Sequence, residues 1–383
     1  MQFLIQTILI IGIVCGWPEE AYMQNTSNAR PGMDGSANRR RELPGRPQVG
    51  AIRWDAWTGG EITAQMEQTL GPRKYHFRLP WFAEVLDRDQ VRIDGRPQAI
   101  MDREIDFAAG AGLDYWAFLL YPASNVMSRS LDNYLRSASR ARINFCVILH
   151  NALGVADADW PRERNRAVAL LREPGYQTVP GGRPLVYAFQ VRSPQRIDDF
   201  RRAAQAAGLN PYCVYMGWNP AGDFARQSPL GFDAVSSYAY GSAYPTFAEH
   251  CRAVETQCWA NARTANVPYV PLVTTGWDKQ PRIDHPVSWE KEHSYHRQKV
   301  FPSTAAPAEI AAHLGRALEF TQSNPGICAA NNVIIYAWNE HDEGGWLAPT
   351  WLPGGRPDTA RLDAIRPMLL NSATRTQPAV TPP

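Results

Sequence analysis

Eight short runs rich in β-branched and aromatic residues recur along the chain, near 48–55, 113–122, 143–151, 184–190, 212–218, 234–241, 269–278 and 332–340. Polar residues, Gly or Pro close each run. Most runs are continuously apolar rather than alternating, the pattern of strands covered on both faces, as in a parallel sheet. Stretches of helical period fall between them: 101–112, ending at Gly110, then 130–141, 193–208, 246–265, 306–322 and 359–371. Pro194 and Pro307 suit helix starts. Strand then helix, repeated about eight times, predicts an α/β fold, a single (β/α)8 TIM barrel. An open doubly wound sheet is the alternative. It lacks a nucleotide fingerprint here: GAGLDY near 110–115 follows a helix, precedes a strand and has no third Gly. A long β1–α1 insertion, about 56–100, is expected to wall one side of the barrel mouth.

The other segments bound the setting. An apolar run from Phe3 to Val14 is too short to cross a bilayer comfortably. Val14 and Gly16 suit the −3 and −1 positions of a cleavage site, so 1–16 is expected to be a signal peptide, with an uncleaved anchor as the alternative. Residues 17–47 are polar and rich in Arg, Pro, Gly, Ser and Asn, which predicts a flexible linker. The catalytic domain is expected over 48–370 and a disordered tail over 371–383. The expected location is secreted or periplasmic, with no membrane partner beyond the export signal. A net charge of +2, with scattered Arg, gives no reason to expect a nucleic-acid partner. Beyond the leader the cysteines are Cys146, Cys213, Cys251, Cys258 and Cys328, and only Cys251 and Cys258 invite a bridge, if the chain bends between them. Glu290, Glu292, His293 and His296 match no strong metal spacing and read as an exposed charged face. No metal or cofactor is called for, and the oligomeric state stays open.

Barrel enzymes carry their chemistry at the C-terminal ends of the strands. Those ends hold Asp55 and Trp57, Tyr121, His150 and Asn151, Trp218, Tyr238 and Tyr240, Trp277 and Asp278, then Trp338, Asn339 and Glu340. The ring is aromatic and carboxylate-rich, with amide and imidazole hydrogen-bonding groups. Thirteen Trp in all supply flat apolar platforms with one N–H each, which suit the C–H faces of sugars. For any one of these aromatics core packing is an equal alternative; their joint placement points to an oligosaccharide or polysaccharide partner.

The segment IIYAWNEHDEGGWLAPTW puts Glu340, Asp342 and Glu343 at the end of the last strand. Glycosidic cleavage needs one carboxylic acid to protonate the leaving oxygen and one carboxylate as base or nucleophile. Crowded like charges raise at least one pKa, which keeps an acid protonated near neutral pH. The bland alternative has Asp342 and Glu343 capping a following helix while Glu340 sits in a salt bridge.

WNEHDEGGWLAP resembles the WNEW-x-EG-x-x-L-x-P signature of WbsX-like and glycoside hydrolase family 99 proteins, and GWDKQPR resembles the WDN-T-P-R segment of the WbsX-like branch, placing Arg282 beside Trp277 and Asp278. MDREIDFAAGAGLDYWAFLLY and GAIRWDAW extend the resemblance over about 48–370. Family 99 cleaves α-mannosides internally with retention. The resemblance therefore implies a glycoside hydrolase acting on an α-linked glycan, with Glu340 as the base that deprotonates the sugar's own 2-hydroxyl and Glu343 as general acid/base. Substrate contacts are expected from the strand-end residues Asp55, Trp57, Tyr121, His150, Asn151, Trp218, Tyr240, Trp277, Asp278, Trp338 and Asn339, and from Arg282, which the resemblance places. His341 replaces the signature's second Trp, and Lys279 and Gln280 replace its Asn and Thr. A glycosyltransferase of polysaccharide synthesis and a non-catalytic carbohydrate-binding barrel are the competing readings.

Overall fold

Each of the eight apolar runs becomes a parallel strand. They are β1 (Gln48–Arg53), β2 (Tyr115–Leu120), β3 (Asn144–Leu149), β4 (Leu185–Phe189), β5 (Tyr212–Met216), β6 (Ala234–Ser236), β7 (Leu272–Thr274) and β8 (Asn332–Tyr336). The computed structural model describes residues 46–150, 154–191, 193–290 and 294–370. The segments expected as signal peptide and C-terminal tail, most of the expected linker, Asn151, Glu292 and His293 lie outside these. Strand order is β6-β5-β4-β3-β2-β1-β8-β7. The ends meet where Val235 N donates to Pro268 O at 3.0 Å and Val270 N to Val235 O at 2.9 Å. The fold is a single (β/α)8 TIM barrel.

Strand side chains alternate inward and outward. Tyr115 of β2 and Tyr187 of β4 meet inside the barrel, hydroxyl to hydroxyl at 2.9 Å. Trp116 and Phe118 point the other way, against Tyr134 of the helix layer. Both faces are dry, so apolar residues were needed at every position; each fully buried Val, Leu or Ile contributes roughly 1.5–3 kcal/mol.

The barrel helices are α1 (Gln98–Ala111), α2 (Arg129–Arg136), α3 (Trp160–Leu170), α4 (Pro194–Ala206), α5 (Pro220–Gln227), α6 (Phe247–Val254, continued through a π-turn to Thr264), α7 (Pro307–Ser323) and α8 (Ala360–Leu370). α1 runs past Gly110 and stops where Gly112 turns left-handed at φ 88°, donating its N–H back to Ala108 and Ala109. It buries Met101, Glu104, Ile105, Ala108 and Ala111, one stripe at helical spacing that includes a carboxylate. α3 and α5 have no counterpart among the helical stretches read from the sequence. Cys251 and Cys258 lie along the continuous α6 run, and both are free and buried.

The insertion after β1 folds as a helix (Gly60–Leu70), a 3-10 turn (Arg73–Arg78) and two paired two-residue strands (Glu84–Val85, Val91–Arg92). It docks on the mouth. Trp351 N donates to Leu79 O at 2.9 Å and Trp81 N to Pro349 O at 3.1 Å. Arg78 is buried, donates to Asp278 O at 2.9 Å and forms an ion pair with the Asp278 carboxylate. The expected wall is present.

Candidate active site

The chain leaves β8 through Trp338, Asn339 and Glu340 and turns back on the 3-10 segment His341–Glu343. The turn does not cap a helix; it leads into Gly345–Trp346, which pairs antiparallel with Asn339–Glu340. Gly344 takes φ 83°, and a Cβ there would lie 2.6 Å from Asp278 N; a Cβ on Gly276, at φ 147°, would lie 2.0 Å from Gly344 O. These two glycines let the loops after β7 and β8 touch. Asp278 N donates to Glu343 O at 2.7 Å across that contact.

The contact brings cations to the carboxylates. Arg282, on the short helix Gln280–Asp284, is buried and donates Nε to Asp342 Oδ2 at 2.5 Å and Nη1 to Glu343 Oε1 at 2.5 Å and to Glu290 Oε2 at 2.6 Å. Lys279, 3% exposed, places Nζ 2.9 Å from Glu343 Oε1 and 3.0 Å from Glu290 Oε1. Tyr336, projecting inward from β8, donates its hydroxyl to Glu343 Oε2. Glu343 thus accepts from three donors. Glu340 is 2% exposed and, among the described residues, accepts only from Tyr238, at 2.5 Å on Oε1, with no partner for its Oε2.

These surroundings set the charges. Burial, reinforced by the neighbouring charge of Glu343, holds the Glu340 carboxyl well above the ordinary carboxylate range, against Arg282 and the Tyr238 hydrogen bond. Burial also pushes Asp342 up, with Arg282 opposing. Burial would raise Glu290 too, yet Arg282 and Lys279 bring it down to about 2. Burial brings His341 down to about 3, so its ring is neutral; Nδ1 donates to Arg78 O at 2.5 Å, and the ring stacks on Trp346 at 5.8 Å. The position where the resemblance expects Trp therefore holds the insertion in place.

Aromatic rings enclose the pair. Tyr238 stacks on Phe189 at 4.4 Å and meets Tyr336 edge-on at 5.8 Å. Trp277 lies 5.9 Å from Tyr336 and under Lys279 Nζ, 4.7 Å from its ring centre. Arg282 packs over Trp54 and Trp289. Trp218, 52% exposed, meets Phe189 edge-on at 5.9 Å and forms the outer rim. His150 lies on the same side, 5.4 Å from Phe189, with Nε2 at 3.1 Å from Gln190 Oε1. Tyr240 is half-buried beside His250.

Other residues singled out from the sequence serve the scaffold. Trp338 is fully buried behind the wall, donating Nε1 to Glu104 of α1 at 3.1 Å. A substrate contact was expected of it, but past the end of β8 it packs on Trp116, on the helix side of the wall. Asn339 is spent on Trp54 N (2.9 Å) and Asp55 Oδ1 (3.0 Å). Asp55 is itself clamped by Arg53 at 2.6 Å. Trp57 packs edge-on to His341, and Tyr121 accepts the Trp54 N–H at 2.7 Å. Asp278 is engaged by Arg78. Glu290 corrects the sequence reading in the other direction: the expected exposed charge is a half-buried partner of Arg282 and Lys279. Tyr336 also went unsingled, although inward alternation along β8 places it.

The chain matches no known protein-family model and no curated protein. It is similar in structure to the GH99 endo-α-mannosidase of Bacteroides thetaiotaomicron in complex with bis-tris-propane. The TM-score is 0.54, with 11% identity over 85% of this chain and 98% of that one. A second structure of that endo-α-mannosidase gives a TM-score of 0.51 at 11% identity, covering 85% of this chain and 97% of the other. At that identity the likeness shows a shared fold.

Proposed function

We propose that the protein is a glycoside hydrolase that cleaves an α-linked glycan outside the cytoplasm, with retention, at Glu340 and Glu343. The observation that carries the reading is this buried pair, flanked by the rings of Tyr238, Tyr336 and Trp277 at the C-terminal mouth of a barrel. Glu340 keeps an unpartnered oxygen there, and each glutamate is tied to a tyrosine. The structural likeness to an endo-α-mannosidase is consistent with a glycan substrate.

In the mechanism Glu340 takes the proton of the sugar's 2-hydroxyl through its free Oε2. The 2-oxygen attacks the anomeric carbon and closes an epoxide, while the bond to the leaving oxygen breaks and Glu343 protonates that oxygen. Water then opens the epoxide at the anomeric carbon, losing its proton to Glu343 as Glu340 returns one to the 2-oxygen. General acid–base participation of this kind is worth about 10²–10⁴-fold.

A second assignment has a specific observation behind it. Glu343 accepts from two cations and a hydroxyl, as an ionised carboxylate does, while burial favours the neutral form of Glu340. Glu340 would then be the acid and Glu343 the base or nucleophile. A panel of α-linked glycans, α-mannans among them, tests the activity, and NMR of the first product anomer tests retention. Glu343→Gln is expected to bind glycan and lose turnover; cleavage at the wild-type rate would remove it from the mechanism. An aryl α-glycoside, whose leaving group needs no proton, separates the roles: it restores the variant lacking the acid and leaves the variant lacking the base inactive. Glycan bound but never cut, by any form, would make this a binding barrel.

A further inference from the structure

Lys279, Arg282, Glu290 and Glu343 form a closed ring of charge. Each cation reaches both carboxylates: Lys279 Nζ lies 2.9 Å from Glu343 and 3.0 Å from Glu290, and Arg282 Nη1 lies 2.5 Å from Glu343 and 2.6 Å from Glu290. Both cations are buried, at 3% and 1% exposure. Tyr295 donates to Glu290 Oε2 at 2.8 Å and fixes its far side. Lys279 is also held over the rings of Trp277 and Tyr295 at 4.7 and 4.6 Å, so it has little freedom to follow a moving charge.

A catalytic carboxyl that gains and loses a proton creates a problem here. When Glu343 is neutral, two buried cations lose an anion, and an uncompensated buried charge is costly. Glu290 lies within reach of both and touches neither Glu340 nor Tyr336. We propose that Glu290 is a positioning residue that shares Lys279 and Arg282 with Glu343 and compensates their charge whenever Glu343 carries a proton. The proposal rests on the glycosidase reading for its catalytic consequence, but the charge sharing can be read without turnover. The remaining groups facing Glu343 are Tyr336, Glu340 and Asp342 from the β8 end, Asp278 from the β7 loop, Tyr238 from β6 and Tyr295.

Glu290→Gln leaves the two cations to Glu343 and Asp342. Its ionised form gains, and the pH transition of Glu343 moves down. Lys279→Met removes a cation, and the transition moves up. Opposite charges within a few ångströms shift carboxyl titrations by about 1–3 pH units, so about one unit each way is expected. The double variant should lie near the wild type, and Glu290→Asp should retain the wild-type behaviour.

The test follows kcat/KM against pH for the full chain on a cleaved glycan, alongside carbon-13 NMR titration of glutamate carboxyls in the same proteins. Opposite displacements that cancel in the double variant support the inference. Displacements in one direction, or none, overturn it. If Glu290→Gln does not fold, Lys279→Met and the double variant carry the same comparison, and failure of the double variant to reverse the Lys279→Met shift overturns the inference. If no glycan is cut by any form, the glycosidase reading fails while the NMR arm still decides the charge sharing.

Discussion

Two arginine-centred clusters sit at the same end of the barrel and are built from the same residue types. Behind β1, Arg53 bonds Asp55 at 2.6 Å and Glu104 at 2.7 Å. Arg53 Nε also reaches Asp55 Oδ2, Asn339 adds a second donor to Asp55 Oδ1, Trp338 donates to the other Glu104 oxygen, and Trp116 stacks under the guanidinium at 4.4 Å. Every carboxylate oxygen there has a partner. Between the β7 and β8 loops, Arg282 gathers Asp342, Glu343 and Glu290, yet Glu340 Oε2 and Asp342 Oδ1 are buried without partners. Burial raises a carboxyl in both places, Glu104 in one and Glu340 in the other, so a raised pKa does not separate them. Unfinished hydrogen bonding does. A saturated cluster fixes a wall; a cluster with open acceptors can still take a hydrogen-bond donor.

The largest expected effect is on rate. Glu340→Gln should lower kcat by about 10²–10⁴-fold while leaving the thermal midpoint unchanged or higher. The pH dependence has a definite sign. A carboxyl raised by folding binds its proton more tightly in the native state, so its contribution is complete below the unfolded value of 4.5 and is lost as pH rises through the folded value. The stability of Glu340→Gln relative to wild type should therefore grow from pH 4.5 upward; a gap that shrinks over that range would remove the buried acid from the account. In the saturated cluster the effect belongs to folding. Arg53→Met strands Asp55 and Glu104 and should cost about 3–5 kcal/mol, read from urea midpoints. A loss below about 1 kcal/mol would mean the two clusters do not differ as drawn.

Gly344→Ala should come next. It forces a side chain onto Asp278 N at a positive φ, which costs about 1–3 kcal/mol, and it pries apart the contact that delivers Lys279 and Arg282 to Glu343. Activity should fall further than stability alone explains, when turnover is measured per folded molecule. A fall matched by the folded fraction would show that the loop contact supports the fold and not the site.

The same contrast explains what was legible in the chain. The strands were, because a doubly covered strand must be apolar throughout. α3 was not, since WPRERNRAVAL interleaves three arginines around the helix and masks its apolar stripe, and α5 is short and contains Pro and Gly. Glu340 and Glu343 stood out because three carboxylates so close on one strand end are costly without a purpose. Their neighbours Trp338 and Asn339 looked equally functional, but Trp338 lies past the end of β8 and packs on Trp116 and Glu104 on the helix side, and Asn339 is held by Trp54 and Asp55. Glu290 was illegible for the opposite reason: its place depends on a loop folding back over Arg282, which no local pattern encodes.

The smallest effect is the most discriminating. Tyr238→Phe removes the only donor to Glu340 among the described residues, a hydrogen bond worth about 1.5–3 kcal/mol to a charged group, and keeps the ring that stacks on Phe189. The hydroxyl favours the ionised form of Glu340, so its loss moves that group's transition further up. The consequence depends on the role. If Glu340 is the base, it must be ionised to work, the acidic limb of the pH–rate profile moves up, and activity on that limb falls. If Glu340 is the acid, it must be protonated, the alkaline limb moves up, and activity near neutral pH is maintained. The same displacement therefore lands on different limbs, and a profile from pH 4 to 10 assigns the two glutamates without disturbing either one. A profile unchanged on both limbs would place Glu340 outside the reaction, in the company of Asp55 and Glu104.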